Sequence, residues 1–245
     1  SGVINCIIKS IIMPTIIKAL QSQVGRKIMT ALTGIGLMLF LVVHLAGNYA
    51  IFASADAFNL YTKQLESLGP LLYIAEAGLL FFVLYHSYLG VSIWLGRRKS
   101  RGSSYEVYKT RGGASRQNLA SRSMIFSGIT ILLFLVLHIW SFKFGETEMI
   151  PTADGETIRD LRQLVIDSFT TWYIALGYVV VLTLILLHLS HGAWSAFTSL
   201  GITNKNNTQA FKLGGYVFAM ILMLGFLFIP IYIFLTNGTG SLIAY

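Results

Sequence analysis

The side chains with the clearest chemistry in this sequence are its five histidines, because each lies in a long apolar segment. A neutral imidazole can ligate a metal, and ionisable residues at membrane depth tend to be functional. For any single buried histidine, a helix-packing role is an equal alternative. A histidine in each of four consecutive apolar segments favours a shared function. The five are His44, His86, His138, His188 and His191.

The chain that carries these histidines has the composition of a membrane protein. Of its 245 residues, 55% are hydrophobic and 11% are charged, and the mean hydropathy is +0.68. An ordinary soluble domain has about a quarter charged residues, so this composition argues against a water-soluble globule. We expect an all-α integral membrane protein with a single membrane domain over 1–245 and an interfacial amphipathic segment over 1–25. The predicted membrane spans cover residues 28–52, 71–95, 123–144, 172–198 and 214–236.

The charged residues between these spans sort by side. With the amino terminus inside, 14 of the 18 basic residues lie on the inner side, and 8 of the 10 acidic residues lie on the outer side. The positive-inside rule therefore predicts a cytoplasmic amino terminus and an outer carboxyl terminus. Orientation accounts for the net charge of +8, so we expect no nucleic-acid partner. Short surface helices are predicted in the outer loops, over 56–68 and 157–170.

Depth along the spans sorts four of the histidines into two levels. At about 1.5 Å per residue, His44 lies about 27 Å and His138 about 24 Å from the inner boundary. His86 lies about 16 Å from the inner side, and His188 is similarly deep in the fourth span. Two pairs at two depths are what two stacked b-type haems need, each with imidazoles from facing helices. A proton relay would favour acidic residues at intermediate depths, where these spans contain none beyond Glu76 near an outer end.

An internal repeat strengthens the pairing. Residues 33–44 match residues 127–138 at seven of twelve positions, including a glycine ten residues before each histidine. Spans two and four share a histidine followed four residues later by glycine, His86 with Gly90 and His188 with Gly192. Glycine admits the edge of a macrocycle, or alternatively a tight helix crossing. The repeats predict a quasi-twofold bundle of spans one to four around two stacked haems, with span five peripheral.

The cysteine content limits how iron can be held. Cys6 is the single cysteine, so an internal disulfide, a four-cysteine iron–sulfur cluster and a Cys-x-x-Cys-His haem attachment are excluded. The haems would therefore be noncovalent and ligated by two histidines each. Any iron–sulfur chemistry would require another chain.

Three further residues are candidates for contacts at the inner boundary. His191 lies three residues after His188, one turn nearer the cytoplasm. We interpret it as a non-ligand that hydrogen-bonds a propionate of the inner haem, with ligand exchange as the alternative. Arg26 and Arg122 lie where propionates would emerge. The alternative is that they only set the orientation of the spans in the membrane, as basic residues at this boundary commonly do.

Several motifs resemble the five-helix, two-haem cytochrome b subunit of bacterial succinate:quinone oxidoreductases. In that family the first and third helices ligate the outer haem, and the second and fourth ligate the inner haem. The match at Gly192 and Trp194 implies that His188 is the fourth ligand. Relatives that couple fumarate reduction to a proton path place a glutamate where this chain has Leu186, which favours the succinate-oxidising direction. The motifs are Val24-Gly25-Arg26-Lys27, Thr33-Gly34 through His44-Leu45-x-Gly47-Asn48, Asp56-Ala57-Phe58-Asn59-x-Tyr61, Ser67-Leu68-Gly69-Pro70-Leu71-Leu72 and Ala120-Ser121-Arg122-Ser123-Met124.

The resemblance implies a place in a larger complex of the bacterial cytoplasmic membrane. A flavoprotein subunit and an iron–sulfur subunit would dock on the basic cytoplasmic face, which also suits anionic lipids. Electrons would pass through the inner and then the outer haem b to a quinone, usually menaquinone in this family. The expected quinone site lies near the outer haem, where Asn48, Glu66 and Glu76 are the leading polar candidates. Further candidates there are Tyr49, Asn59, Lys63 and Trp140.

The sequence is also consistent with two alternative functions. The chain is consistent with the cytochrome b of another respiratory complex, such as a fumarate reductase, hydrogenase or formate dehydrogenase. It is also consistent with a transporter whose histidines bind substrate or protons.

Overall fold

Seven α-helices account for most of the described chain. The computed structural model describes residues 18–54, 56–99, 119–152 and 155–239, with the backbone alone for residues 119–122. Most of the predicted interfacial segment and residues 100–118 of the basic inner loop lie outside these ranges. The helices are α1 (Gln23–Asn48), α2 (Ala57–Glu66), α3 (Pro70–Lys99), α4 (Leu119–Lys143), α5 (Leu161–Thr170), α6 (Trp172–Ser199) and α7 (Thr208–Thr236).

Five of these helices are long and apolar enough to cross a membrane, namely α1, α3, α4, α6 and α7. The prediction of a helical protein with five apolar spans is thereby confirmed. A 3₁₀ turn over Tyr49–Phe52 continues α1, and a small hairpin is the exception to the helical pattern. Helix α1 is defined at its start by Ser22, whose hydroxyl accepts a hydrogen bond from the Gly25 backbone N–H at 3.0 Å.

The spanning helices pack in a fixed order. Helix α1 contacts α3, α3 contacts α4, α4 contacts α6, and α6 contacts α1, so these four helices form a ring. In that ring α1 lies diagonal to α4, and α3 lies diagonal to α6. Helix α7 packs most extensively against α6 and less against α1. Among the described residues, the helices of each diagonal are not packed against each other. The middle of the ring therefore separates α1 from α4 and α3 from α6.

The buried apolar cores lie outside the middle of this ring. One core, formed by Leu182, Leu189, Ala219, Leu222 and Met223, joins α6 to α7. In contrast, the described side chains of α3 and α4 bury only Leu89 and Ser127. Protein side chains therefore fill the α6–α7 contact much more fully than the space that α3 and α4 border.

A second core lies under a cap built from α2, the hairpin and α5. Strands β1 (Met149–Pro151) and β2 (Thr157–Arg159) pair antiparallel, with Ile150 opposite Ile158. The second core comprises Ile51, Phe58, Val165, Ile166, Phe169, Ile229 and Ile233. It fastens the cap to the ends of α1 and α7.

The helix predicted over 157–170 is wrong in its first turn. Residues 157–159 form β2, and α5 begins only after Asp160, whose side chain accepts a hydrogen bond from the Gln163 backbone N–H. An aspartate in this capping role sets the start of the helix. The prediction over 56–68 holds more closely, since α2 occupies Ala57–Glu66.

Candidate haem sites

The four histidines assigned to two depths form two ring pairs in the structure. We name His86 and His188 the inner pair, and His44 and His138 the outer pair, after the orientation predicted from charge. The ring centroids lie 6.4 Å apart in the inner pair and 5.9 Å apart in the outer pair. Each pair joins two diagonal helices, α3 with α6 and α1 with α4. The histidines therefore face each other across the middle of the ring.

The inner pair is contacted by the two copies of the internal repeat. Thr33 Oγ1 lies 3.2 Å from His86 Nδ1, and Ser127 Oγ lies 3.0 Å from His188 Nδ1. Thr33 and Ser127 are buried, and they occupy the first position of their respective repeats. The repeat thus places one hydroxyl against each ring of the inner pair.

The glycines that follow these hydroxyl residues also lie against the inner pair. A Cβ atom built on Gly34 would lie 3.2 Å from His86 Cε1, and one built on Gly128 would lie 3.5 Å from His188 Cε1. Sequence reasoning linked each glycine to the histidine ten residues later in its own helix. In the structure each glycine instead admits a histidine ring from the neighbouring helix.

The outer pair lies in an aromatic environment. Phe40 stacks on His44 at 5.3 Å between centroids, and Phe226 of α7 lies 5.8 Å from the same ring. Phe134 stacks on His138 at 5.5 Å. The hydroxyl oxygen of Tyr178 lies 2.9 Å from His138 Nδ1. The outer pair therefore combines an apolar surrounding with one hydroxyl contact, to His138.

The spacing within each pair fits two axial ligands of one iron. A metal–imidazole bond of about 2 Å, plus about 1.1 Å from that nitrogen to the ring centre, gives a centroid separation of about 6.2 Å. The observed separations of 6.4 and 5.9 Å lie on either side of this value. No side-chain hydrogen bond within the described ranges engages the Nε2 atoms of His86, His138 and His188.

The surroundings of the pairs also fit a macrocycle. Cβ atoms built on Gly90 and Gly192 would meet no atom within 4 Å, so both helices border open space one turn after their histidines. Within the described residues, no three His, Cys, Asp or Glu side chains converge as a bare metal ion would require. A haem iron brings its own macrocycle nitrogens and needs only two further ligands, a number that each pair matches.

His191 belongs to neither pair. Its ring lies edge-on to Trp194 at 5.2 Å between centroids, and Lys212 Nζ lies 4.9 Å from the centre of the same indole. His191 Nδ1 is buried and has no hydrogen-bond partner among the described residues. A buried polar atom without a partner fits a missing polar ligand, as a propionate would be.

Of the two arginines predicted at the inner boundary, the structure describes the side chain of Arg26 and only the backbone of Arg122. Arg26 donates from Nη1 to Ser92 Oγ at 2.7 Å and from Nε to the Gln21 carbonyl at 3.0 Å. It therefore links the start of α1 to α3, below His86. The backbone of Arg122 lies in α4, and its side chain lies outside the description.

The three leading quinone candidates do not share one contact network. Asn48 Nδ2 donates to the His44 backbone carbonyl at 2.7 Å, so it lies one helical turn after His44. Glu76 of α3 forms an ion pair with Lys143 of α4. Glu66 is exposed at the end of α2. Asn48 and Glu76 therefore mark the ends of spanning helices, whereas Glu66 lies in the cap.

Two other candidates for the quinone site are engaged in the cap. The Asn59 amide is buried, donates to Asp160 Oδ1 at 2.9 Å and accepts from the Arg162 backbone N–H at 2.9 Å. Lys63 forms an ion pair with Glu156 at 2.8 Å. Both the donor and the acceptor of the Asn59 amide are used in protein contacts, so a structural role accounts for this residue.

Three hydroxyl residues at the histidines were missed by sequence reasoning. The sequence did contain a signal for Thr33 and Ser127, because they are aligned in the repeat and both have a β-hydroxyl group. They differ in residue type, so a comparison by identity counts them as a mismatch. Tyr178 had no such signal in the sequence, since it approaches His138 from another helix. Only the packing of α4 against α6 brings these two residues together.

Comparison with known proteins yields one informative relative. No protein-family model matches the chain, and no solved structure matches it. The chain is similar to the succinate dehydrogenase cytochrome b558 subunit of Bacillus subtilis (strain 168). The two are 27% identical over 203 residues, covering 80% of this chain and 88% of that protein. This similarity supports the cytochrome b family that the sequence motifs resemble.

Proposed function

We infer that this chain is the dihaem cytochrome b anchor of a succinate dehydrogenase. On this proposal it passes electrons from an iron–sulfur subunit through the inner and outer haem b to a quinone. The observation that carries the proposal is the presence of two histidine pairs, 6.4 and 5.9 Å between ring centroids, across one ring of four helices. The similarity to the cytochrome b558 subunit supports the same assignment.

The residues proposed to hold the haems are assigned by pair. His86 and His188 bind the inner haem through Nε2, and His44 and His138 bind the outer haem. Because each pair bridges diagonal helices, a bound haem also ties those helices together. A bound b-type haem supplies a reversible one-electron couple at its iron.

The aromatic side chains around the outer pair keep water from its histidines. Phe40, Phe134 and Phe226 cover the two rings with apolar surface. A low-polarity surrounding disfavours charge and is one of the means by which a protein sets a haem potential. The inner pair has hydroxyl contacts on both rings, so the two sites present different environments to the same cofactor.

The inner ends of the helices are proposed to receive the partner subunits and the propionates. Arg97, Arg98 and Lys99 end α3 on this side, and Arg98 lies 4.7 Å from the ring centre of Trp94. With the predicted orientation, these charges face a cytoplasmic iron–sulfur subunit. His191, with its unpartnered Nδ1, and Arg26 are the proposed propionate contacts on this side.

The quinone is proposed to react on the outer side, beside the outer pair. Asn48 connects this region to His44 through the hydrogen bond to its carbonyl. Glu66 and Glu76 are the proposed carriers of protons from outer water, because both are at least partly exposed. An electron moving from inside to outside releases about 2.3 kcal/mol per 100 mV of membrane potential. That energy favours reduction of a low-potential quinone.

The test is a reduced-minus-oxidised spectrum with quantified haem in the purified complex. Two haems b per chain are expected, and His86→Ala and His44→Ala should each lose one. His191→Ala distinguishes a propionate contact from an iron ligand: His191 neighbours the inner pair without facing a second histidine, so this variant should still bind both haems. A wild-type chain without haem absorbance would refute the proposal in favour of a transporter.

Co-purification distinguishes the respiratory alternatives. A flavin-containing partner that oxidises succinate is expected with this chain. If the chain binds two haems but purifies with a hydrogenase or formate dehydrogenase subunit instead, the haem assignment stands and the succinate dehydrogenase assignment fails.

A further inference from the structure

Three hydroxyl groups contact the Nδ1 atoms of three of the four paired histidines. Thr33 and Ser127 serve the inner pair, and Tyr178 serves His138 of the outer pair. Among the described residues no side-chain hydroxyl contacts the ring of His44 in this way. The contacts come from neighbouring helices, so each hydroxyl fixes a ring from outside the helix that carries it.

The hydrogen-bond inventory of Thr33 suits an acceptor role toward His86. A threonine hydroxyl has one proton, and the Thr33 hydroxyl has two helix carbonyls to which it can donate, Met29 at 2.8 Å and Thr30 at 3.1 Å. Toward His86 Nδ1, at 3.2 Å, the same oxygen then acts as an acceptor. In this arrangement the proton of a neutral His86 ring lies on Nδ1, and the lone pair lies on Nε2.

Ser127 repeats this arrangement at His188. Its hydroxyl lies 3.2 Å from the Met124 carbonyl, to which it can donate, and 3.0 Å from His188 Nδ1. Ser127 is fully buried, so its oxygen has no solvent to bond instead. The two inner rings thus have the same polar support from two equivalent positions of the repeat.

We propose that Thr33, Ser127 and Tyr178 are positioning residues whose hydroxyl oxygens accept a hydrogen bond from Nδ1–H of His86, His188 and His138 when Nε2 of these rings ligates the iron. This inference rests on the proposed function and deepens it. A hydrogen bond from the outer nitrogen of a ligating histidine fixes the ring and raises its basicity. Greater basicity stabilises the oxidised iron, so losing the bond raises the midpoint potential of the haem concerned.

The test measures both haem midpoint potentials in variants of the intact complex. Thr33→Val and Ser127→Ala should each shift the same one of the two steps upward, and Tyr178→Phe should shift the other. A three- to tenfold change in the redox equilibrium is expected, which is about 30 to 60 mV for one electron. The low-spin ferric EPR signal of the same haem should change, because it depends on the orientation of the imidazole planes.

Conservative and matched variants separate positioning from general damage. Thr33→Ser keeps the hydroxyl and should keep the wild-type potentials. Thr130→Val is the control in α4, since within the described part of the chain the side-chain hydrogen bond of Thr130 goes to the Phe126 carbonyl, at 3.0 Å, and not to a histidine. If Thr33→Val does not assemble, Ser127→Ala and Tyr178→Phe still decide the result.

The outcomes distinguish this inference from the proposed function. Two haems in the wild type with potentials that stay unchanged in all three variants would overturn the positioning role and leave the anchor function intact. Equal shifts of both steps in every variant would also overturn it, because they indicate general disturbance. A wild type without haem would overturn both.

Discussion

Replacing Gly34 with alanine tests the packing of α1 against the inner pair. The added Cβ atom would lie 3.2 Å from His86 Cε1, whereas carbon atoms are comfortable at about 3.5–4.0 Å. His86 must then move by a few tenths of an ångström. Such overpacking costs about 1–3 kcal/mol, which corresponds to about 5- to 150-fold weaker haem binding if the cost falls on the bound state.

The same substitution should not weaken the helix itself. Alanine is more favourable than glycine inside a helix by about 1 kcal/mol, so α1 gains intrinsic stability while the inner haem is held less firmly. Gly128→Ala is the matched control, because its Cβ atom would lie 3.5 Å from His188 Cε1, an ordinary contact. It should improve the helix without loosening the haem.

Haem retention measures the difference between these variants. Haem content per chain, and the rate of haem transfer to excess apomyoglobin, should show weaker retention of one haem in Gly34→Ala only. The thermal stability of the protein chain, followed by circular dichroism, should not fall in parallel. Equal retention in both variants would refute the argument that contact at Gly34 positions His86.

The remaining predictions concern the cap and the outer ion pair. Asn59→Leu should lower the free energy of unfolding by about 2–4 kcal/mol, because it removes two hydrogen bonds and leaves Asp160 with fewer partners. Thermal melts would check this, and a large change in the haem spectrum with no change in melting would contradict it. Glu76→Gln should lower the free energy of unfolding by less than about 1 kcal/mol, since its ion pair with Lys143 is partly exposed. Glu66→Gln or Glu76→Gln should slow quinone reduction measured in proteoliposomes; unchanged rates in both would remove these residues from the proton route.

Much of the helical architecture could be predicted from the sequence because hydropathy and helical rise are local properties. A run of apolar residues defines a span, and the rise per residue converts position in that span into depth. The depths of His44, His86, His138 and His188 sufficed to group them as the structure does. No knowledge of side-chain packing was needed for that step.

The hairpin and the contacts of Asn59 could not be predicted because both depend on pairing with another segment of the chain. Residues 157–159 have a pattern that suits a helix, yet they pair with β1, and the helix begins only after its N-cap residue, Asp160. The position of Asn59 is similar, since a polar residue in an outer loop gives no sign that its amide will bond Asp160. The Asn59 contact joins residues 101 positions apart, and the β2 strand forms only by pairing with β1.

The repeat has a structural consequence beyond the pairing of histidines. Its first two residues, Thr33-Gly34 or Ser127-Gly128, contact the inner pair, and its last residue, His44 or His138, belongs to the outer pair. One stretch of twelve residues therefore contributes to both levels.

Each half of the ring, α1 with α3 or α4 with α6, supplies one histidine to each pair. Within a half, the repeat helix supports the inner histidine of the other helix through a hydroxyl and a glycine. Neither pair is complete within one half, because both histidine contacts run between halves. Association of the halves therefore forms both candidate haem sites together. Loss of α1 would accordingly remove a histidine from the outer pair and the hydroxyl support of His86 from the inner pair.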